Sequence, residues 1–210
     1  MDTLAIIHQL KLSLWNLTYA YWKTETLYSI RWWGLISLNA IGYAIWWKIV
    51  DKQRLSQLLL FGSFMAVGRI VMDIIGSNTV LWSYDIRELP FFPSPFVHDF
   101  TITPLSLMIV YQYNPTWKKF LAWTMVVTGI ITFVFFPLLV ALDFLKYYNW
   151  NHIYSFILII LMAAMSRALL LGVLQLEQRY HRSETIGSST SLTCQPAMKP
   201  LNKKGDHNED

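Results

Sequence analysis

Apolar residues along this chain gather into long runs, with the polar residues between them. Five runs stand out: Trp33–Val50, Leu55–Ile75, a shorter one over Phe96–Tyr113, Phe120–Leu142 and Ile153–Leu176. A helix rises about 1.5 Å per residue, so a run of about 20 residues matches a bilayer core of roughly 30 Å, while Phe96–Tyr113 reaches only about 27 Å. Pro104 interrupts this third run and Pro137 the fourth; each frees a carbonyl that a neighbouring helix or water must satisfy. Ahead of these runs, residues 4–22 are apolar but broken by His8, Gln9, Lys11 and Asn16. Ile7, Leu10, Leu14, Leu17 and Tyr21 share one helical face, which predicts an amphipathic helix lying in the membrane interface, with a sixth span as the alternative. After Tyr180 the pattern stops, and stretches such as Gly187-Ser188-Ser189-Thr190-Ser191 bury too little to order themselves. The pattern therefore predicts an all-α fold, a polytopic bundle of five transmembrane helices. Its parts are an N-terminal amphipathic helix (1–31), the bundle (32–180) and a disordered cytoplasmic tail (181–210).

Composition supports the membrane class. The chain of 210 residues is 54% hydrophobic and 14% charged, too little polar surface for a dispersed soluble domain. Among its ten Trp, Trp32, Trp33, Trp46 and Trp47 bracket the first run, as interfacial aromatics do. The net charge of +4 is scattered over segment ends and the tail, so no nucleic-acid surface is expected. The one cysteine, Cys194, permits no intrachain disulfide, and residues 1–30 lack the features of a secretory signal. With five spans and a cytoplasmic C-terminus, ten Lys and Arg fall inside and five outside, leaving Arg69 and Arg167 within spans. That asymmetry sets the expected orientation.

The second run carries the sharpest signal. Gly62, Ala66, Arg69, Asp73 and Gly76 step by four, three, four and three residues and so share one helical face. Small residues there admit another helix closely, and charges at membrane depth face protein or water. Side chains lean toward a helix's N-terminus, so Asp73 leans toward Arg69 while Arg69 leans away; Arg69 is expected to have a further partner, such as Asp99 or a carbonyl near Pro104. Arg167 is expected to snorkel toward the cytoplasm.

In the expected topology one outer rim collects Arg69, Asp73, Trp82, Tyr84, His98, Asp99, Trp150, His152 and Tyr154. The aromatic, proline-rich stretch between Gly76 and Phe96 is expected to fold back on this mouth. Aromatic walls with a few fixed charges suit a small apolar or zwitterionic ligand or a lipid headgroup; the competing role is interface anchors and caps, with Asp99 as the N-cap of the third span. No G-x-S-x-G, P-loop, H-E-x-x-H or metal-ligand spacing appears, so no catalytic residue, metal or cofactor is expected. The partners expected are membrane lipids and a small apolar or lipid ligand. Binding or scaffolding thus competes with an intramembrane enzyme acting on a lipid or isoprenoid, and with a small transporter.

A set of local matches runs from Asp73 to Phe156: Asp73-Ile74-Ile75-Gly76, Leu81-Trp82-Ser83-Tyr84, Pro90, Asp99 with Pro104, Tyr111-Gln112-Tyr113, Trp117-Lys118-Lys119-Phe120, Pro137-Leu138 and Tyr148-Asn149-Trp150-Asn151-His152-Ile153-Tyr154-Ser155-Phe156. Over this stretch the chain resembles a family of small multi-pass membrane proteins of spore-forming Gram-positive bacteria. Relatives usually carry an acid just before the proline that Pro137 matches; here that position is Phe136. The resemblance implies a multi-pass topology in a bacterial plasma membrane, and it implies no reaction.

Overall fold

The computed structural model describes residues 2–92, 95 and 97–193, the side chains of 97, 98 and 181–193 excepted. It is helical almost throughout. Helix α1 is Thr3–Tyr21, α2 Ile30–Ile49, α3 Leu55–Asn78, α4 Thr103–Tyr113, α5 Trp117–Ile130, α6 Phe136–Ala141 and α7 His152–Thr193. Met1–Leu170 forms one compact unit and Leu171–Asp210 a second. The expected tail, 181–210, falls where side chains or the whole residue lie outside the description.

Among the described residues three helices are long and apolar enough to cross a membrane: Lys52–Asn78, Trp117–Ala141 and His152–Tyr180. The other two expected runs also form helix. Helix α2 has 20 residues, although its tryptophans, Asn39 and Lys48 dilute its hydropathy. The third run is a wide π turn, Val97–Ile102, leading into α4. Helix α1 buries none of its side chains.

Both interior prolines follow a π turn. Pro104 sits in the first turn of α4 after Val97–Ile102, and Pro137 in the first turn of α6 after Ile131–Phe135. A proline has no N–H to give and its ring pushes on the carbonyl four residues back, so the wider turn accommodates it. For Pro104 that carbonyl belongs to Phe100, and Tyr43 on α2 donates its hydroxyl to it at 3.0 Å. A neighbouring helix thus satisfies the freed group, as the sequence requires.

The all-α expectation needs one addition. Trp82–Tyr84 (β1) and Leu145–Tyr147 (β2) pair antiparallel, with Trp82 opposite Tyr147 and Tyr84 opposite Leu145. Each strand leaves a helix by the same device. Val80 after α3 and Asp143 after α6 have positive φ, 56° in both. Leu81 N–H then reaches back to the Gly76 carbonyl, and Phe144 N–H to that of Leu139, each at 2.9 Å. From Trp82 to Pro90 every second residue is buried, so this part of the expected stretch does fold back as a pleated ribbon, while residues 93, 94 and 96 lie outside the description. The ribbon's inward residues Trp82 and Tyr84 pack with Leu139 and Leu145.

At the opposite end of the bundle, Phe61 stacks on Tyr111 at 4.9 Å, with Phe120 edge-on to both. Arg167 does not snorkel here. It is 3% exposed, its guanidinium 4.6 Å from the Phe120 ring centre and 4.8 Å from that of Trp117. It donates to the carbonyls of Asn114 at 3.0 Å and of Pro115. The carbonyls of the turn after α4 and the aromatic faces supply the negative partner that water would otherwise provide, which makes burial the better state.

Candidate functional site

The charged face of α3 sits beneath the β-ribbon. Arg69 and Asp73 are both buried, with Gly62 and Gly76 along the same face. Gly62 lets α4 close in: a Cβ there would lie 2.5 Å from the sulfur of Met108. Arg69 does have its expected second partner. Its Nη2 donates to Asp99 Oδ1 at 3.2 Å, closer than its 3.7 Å approach to Asp73 Oδ2. Asp99, 1% exposed, therefore does not cap a helix; it lies inside the Val97–Ile102 turn and faces Arg69.

The ribbon completes the cluster. Trp82 Nε1 donates to Asp73 Oδ1 at 2.8 Å, and the Tyr84 hydroxyl donates to the same oxygen at 3.0 Å. Strand alternation places both on one face of β1, which is why residues two apart serve one carboxylate. Burial and the nearby charges of Asp73 and Asp99 hold the Tyr84 phenol well above its ordinary pKa, so it remains a donor. Tyr147, across from Trp82, is pushed up to about 12 by burial, against the pull of its Ser155 hydrogen bond and of Arg69.

Five of the nine rim residues thus converge: Arg69, Asp73, Trp82, Tyr84 and Asp99. Trp150 closes over them, its ring 4.9 Å from Trp82 and its Nε1 donating to Ser155 Oγ at 2.8 Å. The other three lie apart or undescribed. His152 sets its ring edge-on to Tyr147 at 5.1 Å. Tyr154 is 55% exposed against Trp150, and the side chain of His98 lies outside the described residues. Arg69, Asp73, Trp82, Tyr84, Tyr147 and Trp150 line a cavity of about 20 Å³. That is room for about one water.

Two features are absent from the sequence-based expectations. Glu88, 3% exposed, accepts from Asn39 Nδ2 at 2.9 Å, and Thr101 donates to Asn39 Oδ1 at 2.5 Å. The alternation Trp82-Ser83-Tyr84-Asp85-Ile86 is the signal that could have found it: a period of two places every second side chain, Glu88 included, on the buried face. The second feature is a groove of about 600 Å³ between α1 and the ribbon, lined by Lys11, Trp15, Trp82, Arg87, Phe91 and Phe92 among others. A smaller one of about 320 Å³, lined by Trp22, Tyr84, Asp85 and Arg87, adjoins it. Among the described residues no group of three or more His, Cys, Asp or Glu is placed to hold a metal. No family model, curated protein or solved structure matches the chain.

Proposed function

We propose that this protein is a non-enzymatic binding protein of a bacterial plasma membrane, with five spans, the ribbon end outside and the C-terminus in the cytoplasm. The contrast between two neighbouring volumes carries the reading. The buried cluster leaves room for about one water, and Asp73 is committed to Trp82, Tyr84 and Arg69. Such a carboxylate holds structure together and is poorly placed to exchange protons with a substrate. The open groove beside it has the size and the aromatic lining of a ligand site. The cluster anchors the ribbon that forms one groove wall, and the rim residues act by holding that wall in place.

Native mass spectrometry of the full chain released from mild detergent tests the binding. A co-purified apolar or lipid molecule is expected, and replacing Trp15 and Phe91 by Ala should lower its occupancy. Bare protein from the unaltered chain under every release condition would sink the proposal. For orientation, an impermeant thiol reagent should label Cys194 only after cells are lysed; labelling of intact cells reverses it.

A further inference from the structure

The groove's walls carry one sign of charge. Among its described lining residues only Lys11 and Arg87 are charged, and both are basic. Helix α1 contains no Asp or Glu from Thr3 to Tyr21. The acid that lines the adjoining groove, Asp85, is ion-paired to Lys146, and that contact raises the Lys146 pKa.

The fold also holds Arg87 in place. Arg87 donates from Nε and Nη2 to the Tyr84 carbonyl at 3.3 and 3.2 Å, and its own carbonyl accepts from Trp22 Nε1 at 3.2 Å. Trp22 ends an aromatic ladder up α1: Trp15, Tyr19 and Trp22 stack at 5.9 and 6.2 Å, with planes 28° apart at each step. Lys11 lies one turn before Trp15 on the same face. The ladder therefore links the segment carrying Lys11 to the backbone of Arg87. A guanidinium held this way loses little further freedom when it meets a phosphate.

Resting on the reading of this groove as the ligand site, we infer that its occupant is an anionic amphiphile. Its phosphate lies between Lys11 and Arg87, and its apolar tail runs along Leu14, Trp15, Phe91 and Phe92. Charge selects the headgroup, and the aromatic surface selects a chain over a free ion. A diacyl phospholipid with a singly negative headgroup has both features.

The test titrates the full chain in neutral detergent with bromine-labelled phosphatidylglycerol and reads quenching of tryptophan fluorescence. Bromine-labelled phosphatidylcholine and inorganic phosphate serve as the other arms. Saturable quenching by phosphatidylglycerol is expected, weaker for phosphatidylcholine, with inorganic phosphate failing to displace the lipid. Lys11→Gln should weaken phosphatidylglycerol binding about fivefold, and Arg87→Gln by a similar factor. Because Arg87 also braces the ribbon, Lys11→Gln at its exposed position decides the matter alone. Equal affinity for the two lipids, unchanged by Lys11→Gln, overturns the anionic headgroup while leaving the binding function intact. Displacement by millimolar phosphate makes this a site for the free ion and overturns the amphiphile. No saturable quenching by either lipid overturns both this inference and the groove as ligand site.

Discussion

Gly76 is a position where the fold admits no side chain. A Cβ there would lie 2.0 Å from Cζ2 of Trp82, and that indole is pinned by its 2.8 Å hydrogen bond to Asp73 and by Trp150, whose ring centre is 4.9 Å away. Gly76→Ala must drive the ring off Asp73, leaving a buried carboxylate short of a donor. The expected loss is about 2–4 kcal/mol of stability, with a changed tryptophan emission, read by thermal unfolding in detergent. A variant as stable as the parent would show that the ring has somewhere else to go. From sequence, Gly76 reads as a small residue on a helix–helix seam. Its neighbour is instead a strand residue six positions on, because the Val80 turn folds β1 back over the end of α3. Spacing along a helix locates a face; it does not say which element covers that face.

Elements were legible where their period was 3.6 and their length large. The runs containing α3, the Trp117–Ala141 helix and α7 declare themselves by apolar length alone. The seam on α3 was legible too, since two charges and three small residues on one stripe mark a helix face turned toward protein. The ribbon was harder to see: each strand is three residues long, so the alternation is brief, and each strand's partner lies more than 60 residues away. The burial of Arg167 is hidden from the sequence for a related reason. Depth along its own helix favours snorkelling, but its acceptors are backbone carbonyls of the turn between α4 and α5, which no side-chain pattern announces. The π turns before Pro104 and Pro137 were likewise invisible, although the need to rescue the Phe100 carbonyl was evident from Pro104 alone, and Tyr43 supplies it.

At the scale of the molecule, one cation and two carboxylates join α3, the Val97–Ile102 turn and the ribbon. Asp73 has two duties there, charge partner to Arg69 and acceptor for Trp82 and Tyr84, and a pair of substitutions separates them. Asp73→Asn keeps an oxygen for the two donors, while Arg69 retains the nearer Asp99 at 3.2 Å; it should cost about 1 kcal/mol. Asp73→Ala removes both duties and should cost about 3 kcal/mol. Equal losses in thermal unfolding would show that the acceptor role contributes nothing. Replacing Arg69 and Asp73 together by Leu would not restore full stability, because buried Asp99 would lose its 3.2 Å ion pair with Arg69. The arrangement also bears on biogenesis. Arg69 and Asp73 are the only charged residues between Leu55 and Asn78, and they stand one turn apart, so α3 brings its own counter-ion. It can enter an apolar phase as a formally neutral rod while the segment that holds Asp99 is still inside the ribosome. Asp99 arrives later as the latch, and the order of residues along the chain becomes the order of assembly.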